Sequence, residues 1–223
     1  MPQHIVQQGE YLGRIVARHG HRDWKRVWEA SENAELREKR QNPNVLYPGD
    51  RVFVPEFETA ERPGATQQRH RFRVEGSIPK LIIEFRDIGN QPITNAQCEL
   101  RLSTGPVSLT TDSQGRIEQL ICTEDEIATL AFRDRAIPFP PEIPVMIGHL
   151  DPVDQVSGQI ARLNNLGYVA GTLPIQTGSP EDERSKAAQL KSAIEEFQCD
   201  QKLQVDGLCG PATQKKLKEV HGC

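Results

Sequence analysis

Ser157-Gly-Gln-Ile-Ala-Arg-Leu-Asn-Asn-Leu-Gly-Tyr168, Ala193-Ile-Glu-Glu-Phe-Gln198 and Val205-Asp-Gly-Leu-Cys-Gly-Pro-Ala-Thr213, in that order, decide how the last third of the 223-residue chain folds. Ile160, Leu163 and Leu166 recur at three-residue steps, which predicts one apolar helix face. Gly167 then supplies the left-handed cap that commonly stops such a helix. Ala187, Leu190, Ile194 and Phe197 form a second stripe at helical spacing. Ahead of it, Ser179-Pro-Glu-Asp182 offers an N-cap, a proline at the first helical position and an acidic residue behind. Gly210-Pro211 opens a third, short helix whose Thr213, Leu217 and Val220 are expected to face inward. A helical unit over residues 152–223 follows.

Those three stretches, at those spacings, resemble the peptidoglycan-binding domain found beside many cell-wall hydrolases. The resemblance implies a three-helix module with no chemistry of its own and a binding groove near Asn164, Tyr168, Phe197, Gln198, Asp206 and Gly207. Phe197 also suits a core position, and Asp206 also suits a turn stabiliser before Gly207.

At the other end, His4-Ile-Val reads as a short strand, Gly9 as a turn, and Leu12, Ile15, Val16 and His19 as one face of a helix. Asp23 is a suitable N-cap for a second helix that places Trp24, Val27 and Trp28 on one side. The segment closes with the turn Asn42-Pro-Asn-Val-Leu-Tyr-Pro-Gly-Asp50 and the strand Arg51-Val-Phe-Val-Pro55. With Val6, Gly9, Leu12, Ile15, Ala17, Asn42-Pro43, Leu46, Pro48-Gly49 and Val52 to Pro55, residues 4–55 resemble the LysM domain. That resemblance implies a βααβ module over residues 1–56 and N-acetylglucosamine-containing polymers as ligand. Its contact residues would be Gly9, Glu10, Tyr11, Asn44 and Tyr47. Where the family usually carries Asp-Thr-Leu-Ser, this chain has Glu10-Tyr-Leu-Gly13, without the two hydroxyls. Asn33-Ala-Glu-Leu-Arg-Glu-Lys-Arg40 is an added charged helical turn. Trp24 and Trp28, one turn apart, suit core packing, which a domain this small needs. Tyr47, in a turn, is the better stacking candidate.

Between the two ends, residues 57–70 are poor in apolar side chains and read as a linker. Short alternating runs follow at Arg71–Glu75, Leu81–Phe85, Gln97–Leu102, Val107–Thr111, Arg116–Cys122 and Ile127–Phe132. Turns at Gly89-Asn90, Thr104–Pro106 and Asp112–Gly115 separate them, as in a small β-sandwich over residues 71–134. Thr111-Asp-Ser-Gln-Gly-Arg-Ile117 resembles a hairpin of transthyretin-like and bacterial immunoglobulin-like modules, usually spacers or contact surfaces. Residues 135–151 read as a stiff connector, because the prolines of Ala136–Pro144 exclude a helix or a central strand. The fold class expected is multidomain α+β.

Net charge is −4 with both signs interleaved, which excludes a basic nucleic-acid face. No stretch reaches the roughly 18 apolar residues of a membrane span. Met-Pro-Gln-His-Ile-Val carries no basic leader or apolar segment, so synthesis in the cytoplasm without a signal peptide is expected. The five cysteines, Cys98, Cys122, Cys199, Cys209 and Cys223, have no metal-ligand spacing. Two disulfides would form in an oxidising compartment, with Cys199–Cys209 one pairing; without export the thiols stay reduced. Cys98 and Cys122 fall in predicted strands, and Cys223 is expected to be exposed. His19 and His21 read as surface residues. The consecutive acids Glu195 and Glu196 point about 100° apart on a helix and cannot flank one bond. No nucleophile elbow, phosphate loop or His-Glu-x-x-His motif is present. The chain is therefore expected to be no enzyme and to use no cofactor or metal.

Two function classes stand. One is a non-catalytic modular binder of peptidoglycan or its fragments. The other follows from a LysM-like domain, a β domain and a wall-binding-like module without a leader, an arrangement that resembles accessory proteins of contractile injection systems, type VI secretion or phage-tail-like. It implies an adaptor or cargo that docks spike, baseplate or effector proteins and is exported by that machine.

Overall fold

The computed structural model describes residues 3–56, 64, 66–69, 78–87, 89–133, 140–172 and 180–223. The fold is mixed α and β, with six α-helices and antiparallel sheets among the described residues. In chain order the elements are β1 (Gln3–Ile5), α1 (Leu12–Arg18), α2 (Trp24–Trp28), α3 (Ala34–Arg40), β2 (Arg51–Phe53), β3 (Lys80–Glu84), β4 (Gln97–Leu102), β5 (Gly105–Thr110), β6 (Arg116–Leu120), β7 (Ile127–Phe132), β8 (Glu142–Met146), α4 (Val156–Asn165), α5 (Pro180–Asp200) and α6 (Pro211–His221). The predicted strand Arg71–Glu75, most of the 57–70 linker, and the capping signal at Ser179–Asp182 lie outside what is described.

In the N-terminal unit β1 pairs antiparallel with β2, Gln3 opposite Phe53. Leu12, Ile15, Val16, Val27, Leu36 and Val52 form its core, with Trp24 and Trp28 packed at its margin. Asp23 caps α2 by accepting from the Lys25 N–H. Helix α1 stops one residue earlier than its apolar spacing predicts, so His19 is its exposed C-cap rather than a member of the buried face. His21, expected at the surface, is buried and its Nε2 meets the Pro55 carbonyl at 2.7 Å. An interior polar residue ties the unit together. Asn33, 1% exposed, donates to the carbonyls of Val27 and Phe53 and accepts from the Phe53 N–H. A buried amide needs such partners, each worth about 1 kcal/mol net.

The β unit places a four-stranded sheet, β5-β4-β7-β8, and a two-stranded sheet, β3-β6, around one core. Strand alternation sets the inward face: Cys98, Leu100 and Leu102 from β4, Leu130 from β7, and Ile117 from β6. Residues 142–146, assigned by sequence to the connector, form β8 and pair with β7, Pro144 opposite Thr129. The proline rule holds in its narrower form. Pro144 and Pro106 both occupy the outermost strands of the four-stranded sheet, where a missing N–H breaks no interior ladder. Cys122 lies past the end of β6 and is exposed.

In the C-terminal unit α4, α5 and α6 share the core of Ile160, Leu163, Ile194, Phe197 and Leu217. Two expected core positions are corrected. Ala187 is exposed, as is Val220 at 39%. All five cysteines are free, and Cys223 is half-buried, its Sγ 3.3 Å from His221 Nδ1. No described helix is long and apolar enough to cross a membrane.

The units touch one another. Arg14 of α1 bonds to residues 123–126 of the β unit, and Gln8 reaches Asp151 at 3.5 Å. Arg40 lies 3.7 Å from Asp154 at the entrance to α4.

Candidate functional site

The C-terminal candidate residues lie around the second half of α5, against which two loops pack. Gln198, 1% exposed, is the centre. Its Oε1 accepts from the Asp206 and Gly207 N–H groups, both at 3.0 Å. Its Nε2 lies 2.8 Å from Asp206 Oδ1, 3.0 Å from the Leu208 carbonyl and 3.0 Å from Thr213 Oγ1. One buried amide thus fixes the turn 203–210 and the start of α6, with its donors and its acceptor all engaged. Asp206 also accepts from the Leu208 N–H, and this bond together with the Gln198 amide holds its carboxyl below the ordinary carboxylate range.

Gly207 has φ +69°, and a Cβ there would lie 2.7 Å from Lys191 Cγ and 2.9 Å from Glu195 Oε1. The turn therefore requires glycine both for its backbone and for its close approach to α5.

The second loop follows α4. Asn164 accepts from the Ala170 N–H at 2.9 Å and donates to the Gly171 carbonyl at 2.8 Å, stitching residues 164–171. Tyr168 meets Phe197 edge to face, centroids 5.6 Å apart, and its hydroxyl donates to Asp200 Oδ2 at 2.9 Å. Burial, reinforced by Asp200, pushes the phenol up to about 12. Phe197 is fully buried core. Five of the six residues thus lie on or against the second half of α5, and Asn164 holds the loop that carries Tyr168. Asn164 and Asp206 are exposed, and the two loops add exposed apolar residues absent from the sequence-predicted set: Val169, Val205 and Leu208, at 70%, 54% and 66%. Exposed aliphatics in short loops carry no periodic signal, so pattern reading passes over them.

Close by, Arg162 of α4 is 1% exposed and donates to the carbonyls of Asp151, Gly158 and Cys223. Asn165 Nδ2 lies 3.0 Å from His221 Nε2, and His221 Nδ1 lies 3.3 Å from Cys223 Sγ. Burial, then the Arg162 charge, pushes His221 down to about 4, and burial pushes the Cys209 thiol up to about 11.

The N-terminal candidates divide. Gly9, Glu10 and Tyr11 are all buried. Glu10 accepts from His4 Nε2, the Gln7 N–H and Arg18. Burial alone would raise this carboxyl, yet these partners hold it below its ordinary value. The Tyr11 ring belongs to the core of the β unit. Asn44 is exposed, while Tyr47 is half-buried with the Arg40 guanidinium 5.6 Å from its ring centroid. Arg40 pairs with Asp50 at 2.6 Å, and Asp50 accepts from the Tyr47 N–H, so this turn too is braced from within.

No curated protein and no solved structure matched the chain. Residues 161–217, about a quarter of the chain, match the family described as "Putative peptidoglycan binding domain", which supports a C-terminal peptidoglycan-binding module with peptidoglycan as its partner.

Proposed function

We propose that the chain is a non-catalytic modular binder that engages peptidoglycan through the 167–171 loop and the 203–210 turn, which both pack on α5. The observation that carries this is the family match over residues 161–217, which spans both loops and the helix between them. The site's construction agrees with it. The two loops are held by internal hydrogen bonds, so binding would require little ordering of the protein and would retain more affinity for it. Their polar side chains serve the loops, which favours recognition over bond-making chemistry. Cosedimentation of the full chain with purified sacculi tests the proposal. Wild type is expected in the pellet, and Leu208→Asp with Val169→Asp should move it to the supernatant. Wild type remaining soluble at low and physiological salt would overturn it.

A second reading, a cytoplasmically made adaptor or cargo of a contractile injection system, is favoured by one observation. The Glu10-Tyr-Leu-Gly13 segment of the LysM-like unit already packs against protein, its Tyr11 ring within the β core. Such a unit is suited to protein docking. Capture of spike or baseplate proteins from the native host on immobilised full chain would support this reading, and recovery of muropeptides alone would count against it.

A further inference from the structure

We infer that the β unit covers, in cis, the Gly9–Tyr11 loop of the N-terminal unit, so that this loop serves the contact between the two units and takes no outside ligand. The inference rests on reading the N-terminal unit as a partner-facing module and specifies which of its two candidate surfaces is closed.

Arg14 holds the cover. Its side chain is 1% exposed, and its guanidinium grips both sides of the contact. Nη1 donates to the Gly9 carbonyl at 3.0 Å and to Glu126 at 2.9 Å. Nε donates to the Thr123 carbonyl at 2.8 Å and Nη2 to the Asp125 carbonyl at 2.7 Å. A planar fork that satisfies four acceptors fixes both loops in one geometry. The acceptor loop is itself rigid. Asp125, 1% exposed, accepts from the Ser103 N–H and hydroxyl and from the Cys122 N–H.

The contact is also closed sterically. Gly148 has φ +81°, and a Cβ on it would stand 2.8 Å from the Gly9 carbonyl and 2.8 Å from the Tyr11 ring. A Cβ on Gly9 would lie 2.7 Å from the His149 ring. No room is left for a ligand between the loop and segment 147–149. The polar groups of the loop are engaged as well, Glu10 with His4, Gln7 and Arg18, and the Gly9 carbonyl with Arg14. Among the described residues the buried Tyr11 hydroxyl has no hydrogen-bond partner. The ring, not the hydroxyl, is what the contact uses. By contrast Asn44 is exposed and Tyr47 half-exposed on the 42–47 turn.

Hydrogen exchange and NMR on the full chain, with N-acetylglucosamine tetramer as probe, test the cover. In wild type, amides at 9–12 and 122–126 should exchange slowly. Arg14→Met should speed both segments together, roughly 10-fold or more, while α4 to α6 stay unchanged. Glu126→Gln, which alters one half-exposed partner, should give a smaller increase at the same amides and serves as the readout if Arg14→Met fails to fold. Probe shifts that spare Gly9–Tyr11, with slow coupled exchange, would support the cover. Fast exchange at 9–12 in wild type, acceleration of only one segment, or probe shifts at Gly9–Tyr11 would overturn it. No probe shift anywhere, with slow coupled exchange, would remove the sugar-facing role of the unit while supporting the cover.

Discussion

Two turns of similar composition, Gly9-Glu10-Tyr11 near one end and Asp206-Gly207-Leu208 near the other, meet different fates. Each has a glycine of positive φ beside an acid and a bulky side chain. The C-terminal turn is closed by Gln198, eight to ten residues away, and keeps Leu208 in solvent. The N-terminal turn is held by Arg14, which also bonds residues 109 to 112 positions further along the chain, and it is sealed under another unit. A turn completed by its own neighbours remains free to recognise something. A turn whose apolar side chain finds a core elsewhere becomes part of that core. Burial of an aromatic side chain is worth about 2 kcal/mol or more, and exposing Tyr11 would forfeit it.

The contrast can be broken at either end. Arg14→Met should have the largest effect, about 3 kcal/mol of destabilisation, because it strands buried carbonyls of both loops. Thermal unfolding should show the N-terminal and β transitions falling together, whereas a fall in one alone would mean the contact is not shared. Gln198→Ala should cost about 2–3 kcal/mol and lower only the C-terminal transition, since its partners lie within fifteen residues. Gly207→Val should cost about 1–2 kcal/mol, mainly from the positive φ, because the crowding Lys191 and Glu195 side chains are flexible. An unchanged melting curve for it would show that the turn tolerates a side chain.

Titration gives a finer comparison. The folded C-terminal unit disfavours the His221 imidazolium, so this contribution to stability is complete above the ordinary histidine range and is lost as pH falls through about 4. His221→Gln should flatten that acid limb of the melting profile. Tyr168, raised to about 12, stabilises below the ordinary tyrosine value of about 10, and that contribution is lost as pH rises through about 12. Ultraviolet titration of Tyr168→Phe against wild type should remove one late-ionising phenol. The smallest effect runs the other way. Tyr11→Phe should be neutral or stabilising by about 0.5 kcal/mol, since the buried hydroxyl has no partner among the described residues. A clear loss of stability would reveal a bond to that hydroxyl.

Legibility followed the range of the forces involved. The helix stripes around Ile160, Leu163 and Phe197, the Asp23 cap and the alternation of Cys98, Leu100 and Leu102 depend on residues a turn or a pleat apart, and they were readable. Which residues of a helix a neighbouring element covers was less so, and His19, Ala187 and Val220 missed their expected faces. Pro144 marked its strand as one that cannot be central but not as one that would pair at all. Of the site, the grouping of Gln198, Asp206 and Gly207 came only with the resemblance to a wall-binding module, while the turn at Gly207 was legible from the residues themselves. The exposure of Val169 and Leu208 was not, since nothing periodic marks it.

By itself, then, the amino-acid order determined the local elements, the three segments with their own apolar cores, and the turn that needs Gly207, because periodicity, capping and backbone sterics act between near neighbours. Only the tertiary structure decided that Arg14 reaches Thr123 and Asp125, that Tyr11 fills the β core, and that one turn is sealed while the other stays open. Those outcomes depend on hydrogen bonds and close packing between residues more than a hundred positions apart, whose meeting no local pattern encodes.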